Sequence, residues 1–146
     1  MSLAAVANDV IMQEVSIKAP ADRIFDALTT PAELFKWWTV AGKYEAVQVE
    51  GDLRPGGKWL MVMKGCGGTA TASAVTGEYR EIVRPNLLTY TWVREDGIET
   101  LVRWDLKEVA GVTTVRVTHS GLVTDEMKAR NNGWPMVLDL LTAWVE

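Results

Sequence analysis

The sequence predicts an α+β fold: a curved antiparallel sheet of six to seven strands, two short helices, and a long C-terminal helix packed across the sheet. Three observations predict it. Apolar residues alternate with polar ones through most of residues 44–120, and glycine-bearing turns separate the runs, as expected for hairpin-joined strands with one buried face. Helical spacing is confined to two stretches, about 20–38 and 124–146. The second stretch is apolar around most of its girth, so it needs cover on several sides, and the one-sided sheet needs a cover of its own.

Residues from about Val10 to Lys18 read as the first strand, with Ile11, Val15 and Ile17 among its apolar positions. Pro20 opens a short helix, where a missing N–H costs nothing, and Ala21, Ile24, Phe25 and Leu28 share one face. Thr30-Pro31-Ala32-Glu33 has the form of a capping box that starts a second helix carrying Leu34, Phe35, Trp37 and Trp38. Beyond Gly42 the chain turns extended. Tyr44 to Glu50 is a strand ended by Gly51-Asp52, and Pro55-Gly56-Gly57 is turn chemistry. Lys58 to Lys64 sets Trp59, Met61 and Met63 against Leu60 and Val62.

Gly65-Cys66-Gly67-Gly68 makes a hairpin tip, and Ala70 to Val83 a long strand bent or bulged at Gly77. Arg84-Pro85-Asn86 turns into Leu87 to Arg94, where Leu88, Tyr90 and Trp92 share a face. Asp96-Gly97 is a hairpin signal, and Glu99 to Val109 groups Val102, Trp104 and Leu106. After Ala110-Gly111, the run Val112 to Ser120 groups Val115, Val117 and His119. Thr124 can cap a turn in which Asp125 and Glu126 favour the positive end of the helix dipole. Asn132-Gly133 interrupts, and Pro135 enters the first turn of the last helix. Trp134, Val137, Leu138, Leu141 and Val145 form its main stripe, with Met136, Leu140 and Trp144 as a second flank. Burying five large side chains of the stripe contributes roughly 8–15 kcal/mol before ordering costs, which makes the helix a core element.

A length of 146 residues suits one domain spanning the chain, with residues 1–9 expected to be a disordered or tag-like segment. The net charge of −4 and the scattered basic residues argue against nucleic acid, which needs clustered cations to neutralise phosphates. The single cysteine, Cys66, allows neither an intramolecular disulfide nor a cysteine-based metal site. No cofactor or metal is expected, and a reducing cytoplasm is the expected compartment. The N-terminus lacks a signal-peptide pattern, and no run approaches the roughly 18 apolar residues of a membrane span.

Several segments in fixed order resemble the SRPBCC superfamily, also called START-like or helix-grip, over about residues 10–146. They are Ile17 to Pro31, Trp37-Trp38, Arg54-Pro55-Gly56-Gly57-Lys58-Trp59, Gly77-Glu78-Tyr79-Arg80-Glu81-Ile82, Val117 to Leu122, and Gly133-Trp134 with Leu138 and Leu141. The chain is most similar to the branch of homologues of the heat-shock-protein-ninety ATPase activator. The resemblance implies a cavity between the concave sheet and the last helix. Ala70, Ala72 and Ala74 on one face, opposite Trp59, Trp92 and Trp104, fit a space that small residues leave and large ones rim.

The aromatic and methionine set has two readings, a packed core and a pocket wall, and the resemblance tips the balance to the pocket. The expected ligand-binding residues are Trp38, Trp59, Met61, Met63, Tyr90, Trp92, Trp104, His119, Trp134 and Leu138. For His119, the only histidine, the favoured reading is a strand residue hydrogen-bonded to a neighbouring turn rather than a base. Cys66 reads as a loop residue, and Glu78, Glu81, Glu99 and Asp105 as charges on a solvent face. The expected function is therefore binding of an apolar small molecule: a lipid, polyketide or aromatic metabolite. An enzyme using the same cavity, cyclase- or hydrolase-like, requires Tyr90, Glu78 or His119 to converge inside it. A co-chaperone-like protein-binding module or a homodimer requires an exposed apolar patch such as Met136, Leu140 and Trp144.

Overall fold

The computed structural model describes residues 9–39, 44–65, 72–94, 97–131 and 133–146. Cys66, Ala70 and Asp96 lie outside the described residues. The elements are β1 (Val10–Ile17), α1 (Ala21–Thr29), α2 (Pro31–Trp37), β2 (Tyr44–Gly51), β3 (Lys58–Gly65), β4 (Ala72–Val83), β5 (Leu87–Val93), β6 (Glu99–Val109), β7 (Val112–Ser120), α3 (Asp125–Arg130) and α4 (Trp134–Val145). The strands form one sheet in the order β1-β7-β6-β5-β4-β3-β2, antiparallel throughout. This order explains the placement of the helices. The chain begins at the edge beside β7, so α1 and α2 must carry it to the opposite edge before the meander returns.

Strict alternation in β6 and β7 sends Val102, Trp104, Leu106, Val115, Val117 and His119 to the buried concave face. Against that face lies α4, which buries Trp134, Val137, Leu138 and Leu141. Its second flank is covered only in part: Met136 and Leu140 are half-buried and Trp144 is exposed. The indole N–H of Trp144 donates to Glu33 at 2.9 Å, so α2 holds that edge by one polar contact.

One local expectation, the Thr30–Glu33 capping box, fails. The Thr30 side chain makes no capping bond. Glu33 instead accepts from Arg23 at 2.6 Å and from Trp144, partners that tie α2 to α1 and α4. At the start of α1 no side chain of its own N-cap, Pro20, can serve. Glu108 on β6 accepts from the Ala21 N–H at 2.8 Å in its place. The Thr124 cap is made as expected, accepting from the Met127 N–H at 3.1 Å.

The register of β4 corrects two further expectations. Ala74 pairs with Val62 and Met61 with Val75, so Ala74 faces outward while Ser73, Val75 and Gly77 share the inner face with Met63, Met61 and Trp59. Ala72 holds the register position of Lys64, on the same alternation as Ala74. The register shift falls between Tyr79 and Glu81, not at Gly77. Around it the hydroxyls of Thr91 and Thr89 accept from the N–H groups of Glu78 and Glu81, at 2.8 and 2.9 Å.

Gly77 is required for close approach. A Cβ there would sit 1.9 Å from the Thr91 carbonyl oxygen and 2.4 Å from Trp59 Nε1. The first of these is backbone and cannot turn aside. Gly77→Ala is therefore expected to cost about 1–3 kcal/mol by the rule for overpacked sites. Chemical denaturation reads it, and an unchanged midpoint would mean that β4 and β5 separate there without penalty.

Candidate functional site

Inner-face residues of β3, β4 and β5 meet the end of α2 and the start of α4 around a cavity of about 290 Å³. Trp38 follows directly on α2, and its ring stacks on Trp92 with centroids 6.1 Å apart. Trp134, the first residue of α4, meets both rings at an angle, at 5.9 Å from Trp38 and 5.5 Å from Trp92. Met61, Met63 and Val75 make the sheet wall, and Arg94, Asn131, Gly133, Met136 and Val137 complete the lining. Three indoles and three methionines give a large, adaptable apolar surface with few polar groups, the usual composition of a small-ligand site.

Of the residues expected from sequence, Trp38, Met61, Met63, Trp92 and Trp134 come together on this cavity. Trp59 and Tyr90 line a narrow neighbouring cleft of about 20 Å³, which shares Trp38, Met61 and Trp92 with the larger space. Trp104, His119 and Leu138 lie outside both linings, in the packed layer behind Trp134. Arg94 escaped sequence reasoning although period-two alternation after Tyr90 and Trp92 points to it. Asn131 and Gly133 carry no such signal; they reach the cavity because the chain breaks between α3 and α4.

The polar groups behind the wall are engaged. His119 Nδ1 accepts from Trp134 Nε1 at 3.1 Å, because an indole N–H can only donate. The ring proton is thereby placed on Nε2, which faces Thr100 Oγ1 at 2.7 Å. The Thr100 hydroxyl in turn donates to the Trp92 carbonyl at 2.8 Å. Its partners are thus a β6 hydroxyl and the α4 indole, where a neighbouring turn was expected. Burial, helped by the charge of Arg94, pushes the imidazole down to about 4 and keeps it neutral.

Tyr90 Oη accepts from Trp104 Nε1 at 2.9 Å, and burial raises this phenol well above its ordinary value. Tyr79 is pushed up to about 12 by burial alone. Glu78 faces outward to Lys58 at 3.0 Å, and that hydrogen bond holds its carboxyl below the ordinary range. None of Tyr90, His119 and Glu78 lines the cavity. The indole N–H groups of Trp59 and Trp92 are buried with no acceptor among the described residues, a local cost tolerated beside the cavity. What the arrangement offers is an apolar surface with one charged edge.

The profile of the family described as "Activator of Hsp90 ATPase homolog 1-like protein" matches residues 18–146, nearly nine-tenths of the chain. The chain belongs to that family. Its helix-grip architecture agrees with solved structures of similar proteins. Protein CV1439 from Chromobacterium violaceum is 25% identical, with a TM-score of 0.83 over 95% of this chain and 98% of that one. Protein NE0264 from Nitrosomonas europaea is 18% identical, with a TM-score of 0.80 over 94% of each chain. CalU16 from Micromonospora echinospora is 24% identical, with a TM-score of 0.70 over 94% of this chain and 76% of that one. No curated protein matches the chain. This member of the activator-homologue family has, among the described residues, no cluster of three or more His, Cys, Asp or Glu able to hold a metal. Nor is any helix among them long and apolar enough to cross a membrane.

Proposed function

We propose that this protein binds an apolar small molecule in the cavity between the concave sheet and the start of α4. The observation that carries the reading is the cavity itself: about 290 Å³ of space walled by Trp38, Trp92, Trp134, Met61 and Met63. A water-sized share of about 30 Å³ gives room for roughly ten heavy atoms, the size of a one- or two-ring metabolite or a medium-length chain. The proposal treats Trp59 and Tyr90 as an adjoining subsite, and Trp104, His119 and Leu138 as the support that keeps the wall rigid. Trapping such a body against three indoles removes apolar surface from water on both partners, at about 25 cal/mol per Å² before association costs.

A titration with the uncharged probe 1-aminonaphthalene, a two-ring compound of the size the cavity admits, read by tryptophan quenching, tests the proposal. Saturable quenching with one-site stoichiometry is expected, because three of the seven tryptophans line the cavity. Val75→Phe places a ring in the space while adding only apolar bulk, and it should weaken the probe at least about tenfold with the fold intact. Undiminished binding in that variant, or no saturable binding in the parent, would reject the cavity as the site.

A further inference from the structure

We infer that the ligand is an organic acid, an apolar body lodged against the tryptophans with its carboxylate on Arg94; this rests on the cavity-binding reading above. Among the described lining residues Arg94 is the only ionisable one. Its placement is fixed from two sides. The guanidinium carbon lies 5.8 Å from the centroid of the Trp92 ring, so the cation rests over an indole that also walls the cavity. Its Nε donates to Asn131 Oδ1 at 2.8 Å, and Asn131, itself buried, donates from Nδ2 to the Met127 carbonyl at 2.7 Å. Asn131 is therefore a positioning residue, anchored to α3 and holding the plane of the guanidinium.

The charge favours one ligand class over its neighbours. A guanidinium presents a planar fork that matches a carboxylate with two parallel hydrogen bonds. Beside an apolar wall, where water is sparse, the attraction exceeds its value in bulk solvent. An uncharged ligand forgoes that contact, and a cationic one is repelled by it. The first turn of α4, whose N-cap Gly133 has no capping side chain, brings its partial positive charge to the same rim. The chain as a whole carries a net charge of −4, so long-range attraction does not supply an anion preference; it must come from this local group.

The test compares 4-phenylbutyrate with its uncharged isostere 4-phenylbutyramide by calorimetry, with 1-aminonaphthalene as the control for an intact cavity. The acid should bind at least about tenfold more tightly than the amide, as charge-assisted hydrogen bonds imply. Arg94→Gln should bring acid and amide to equal affinity, and the ratio of the two is the readout because Arg94 is itself part of the cavity lining. Should Arg94→Gln fold poorly, the parent protein still decides the matter through salt. Acid affinity must fall as ionic strength rises, and amide affinity must not. Equal affinity for acid and amide, a preference that survives in Arg94→Gln, or a salt-insensitive preference overturns the assignment to an acid while leaving the cavity reading intact. Failure of all three compounds to bind overturns both.

Discussion

Replacing Trp104 with alanine is expected to lower the unfolding free energy by about 3–5 kcal/mol, the range for deleting a fully buried large aromatic. Trp104 has no exposed surface. It stands between Leu88 on β5 and Val117 on β7, its partners across both ladders. Its ring meets Trp134 of α4 edge-on at 5.7 Å. Central strands of a paired sheet cannot close up around a deleted indole, so most of the cavity persists and the loss falls in the upper part of the range. The substitution also strips Tyr90 Oη of its donor. Trp104→Phe, which keeps most of the bulk, should cost about 1–2 kcal/mol, nearer the value of one buried hydrogen bond with modest repacking. Trp144→Ala is the surface comparison, with one exposed bond to Glu33 and an expected change under about 1 kcal/mol. Urea denaturation of the three variants reads the series. Similar midpoints for Trp104→Ala and Trp144→Ala would contradict the packed layer behind the cavity.

That layer is also where the sequence was most legible. Alternation assigns Val102, Trp104, Leu106, Val115, Val117 and His119 to one face because bulky apolar residues occupy every second position of β6 and β7. The same reasoning slips in β4, where Ala72, Ser73, Ala74, Val75 and Thr76 are too alike in size to set the parity. The phase is fixed further on by Tyr79, whose buried ring places Val75 and Gly77 inward and Ala74 outward. The bend expected at Gly77 lies instead between Tyr79 and Glu81; what demands glycine at 77 is the backbone of Thr91 and the indole of Trp59, which only pairing brings near. The Thr30–Glu33 capping box failed on the same kind of information: Trp144, more than a hundred residues on, takes the Glu33 carboxylate. At the site, the tryptophans and methionines could be named from pattern. Their division between cavity wall and packed support could not, because it depends on where α4 begins relative to the sheet.

Acidification is expected to remove roughly 2 kcal/mol of stability between pH 7.5 and pH 5, through His119 alone. In the native protein the imidazole stays neutral down to about 4, while in the unfolded chain it recovers its ordinary value of 6.5. Between those values the unfolded chain binds a proton that the native state refuses, so stability is complete above 6.5 and falls with pH toward 4. The assignment to one side chain follows from composition. The chain has a single histidine, and carboxylates ordinarily titrate nearer 4, below the window. Glu78 contributes lower still: its carboxyl is held below 4.5 by Lys58, so what it adds is present above that value and is lost only in stronger acid. Denaturant midpoints at pH 7.5, 6 and 5 should therefore drop steadily in the parent. They should stay level in His119→Gln, although that variant starts less stable at neutral pH, having lost the Thr100 and Trp134 contacts. An equally steep drop in His119→Gln would assign the acid response to other groups. Arg94→Gln separates the two causes of the depressed imidazole. Burial remains and the neighbouring charge is gone, so its acid loss should be smaller than the parent's but not absent.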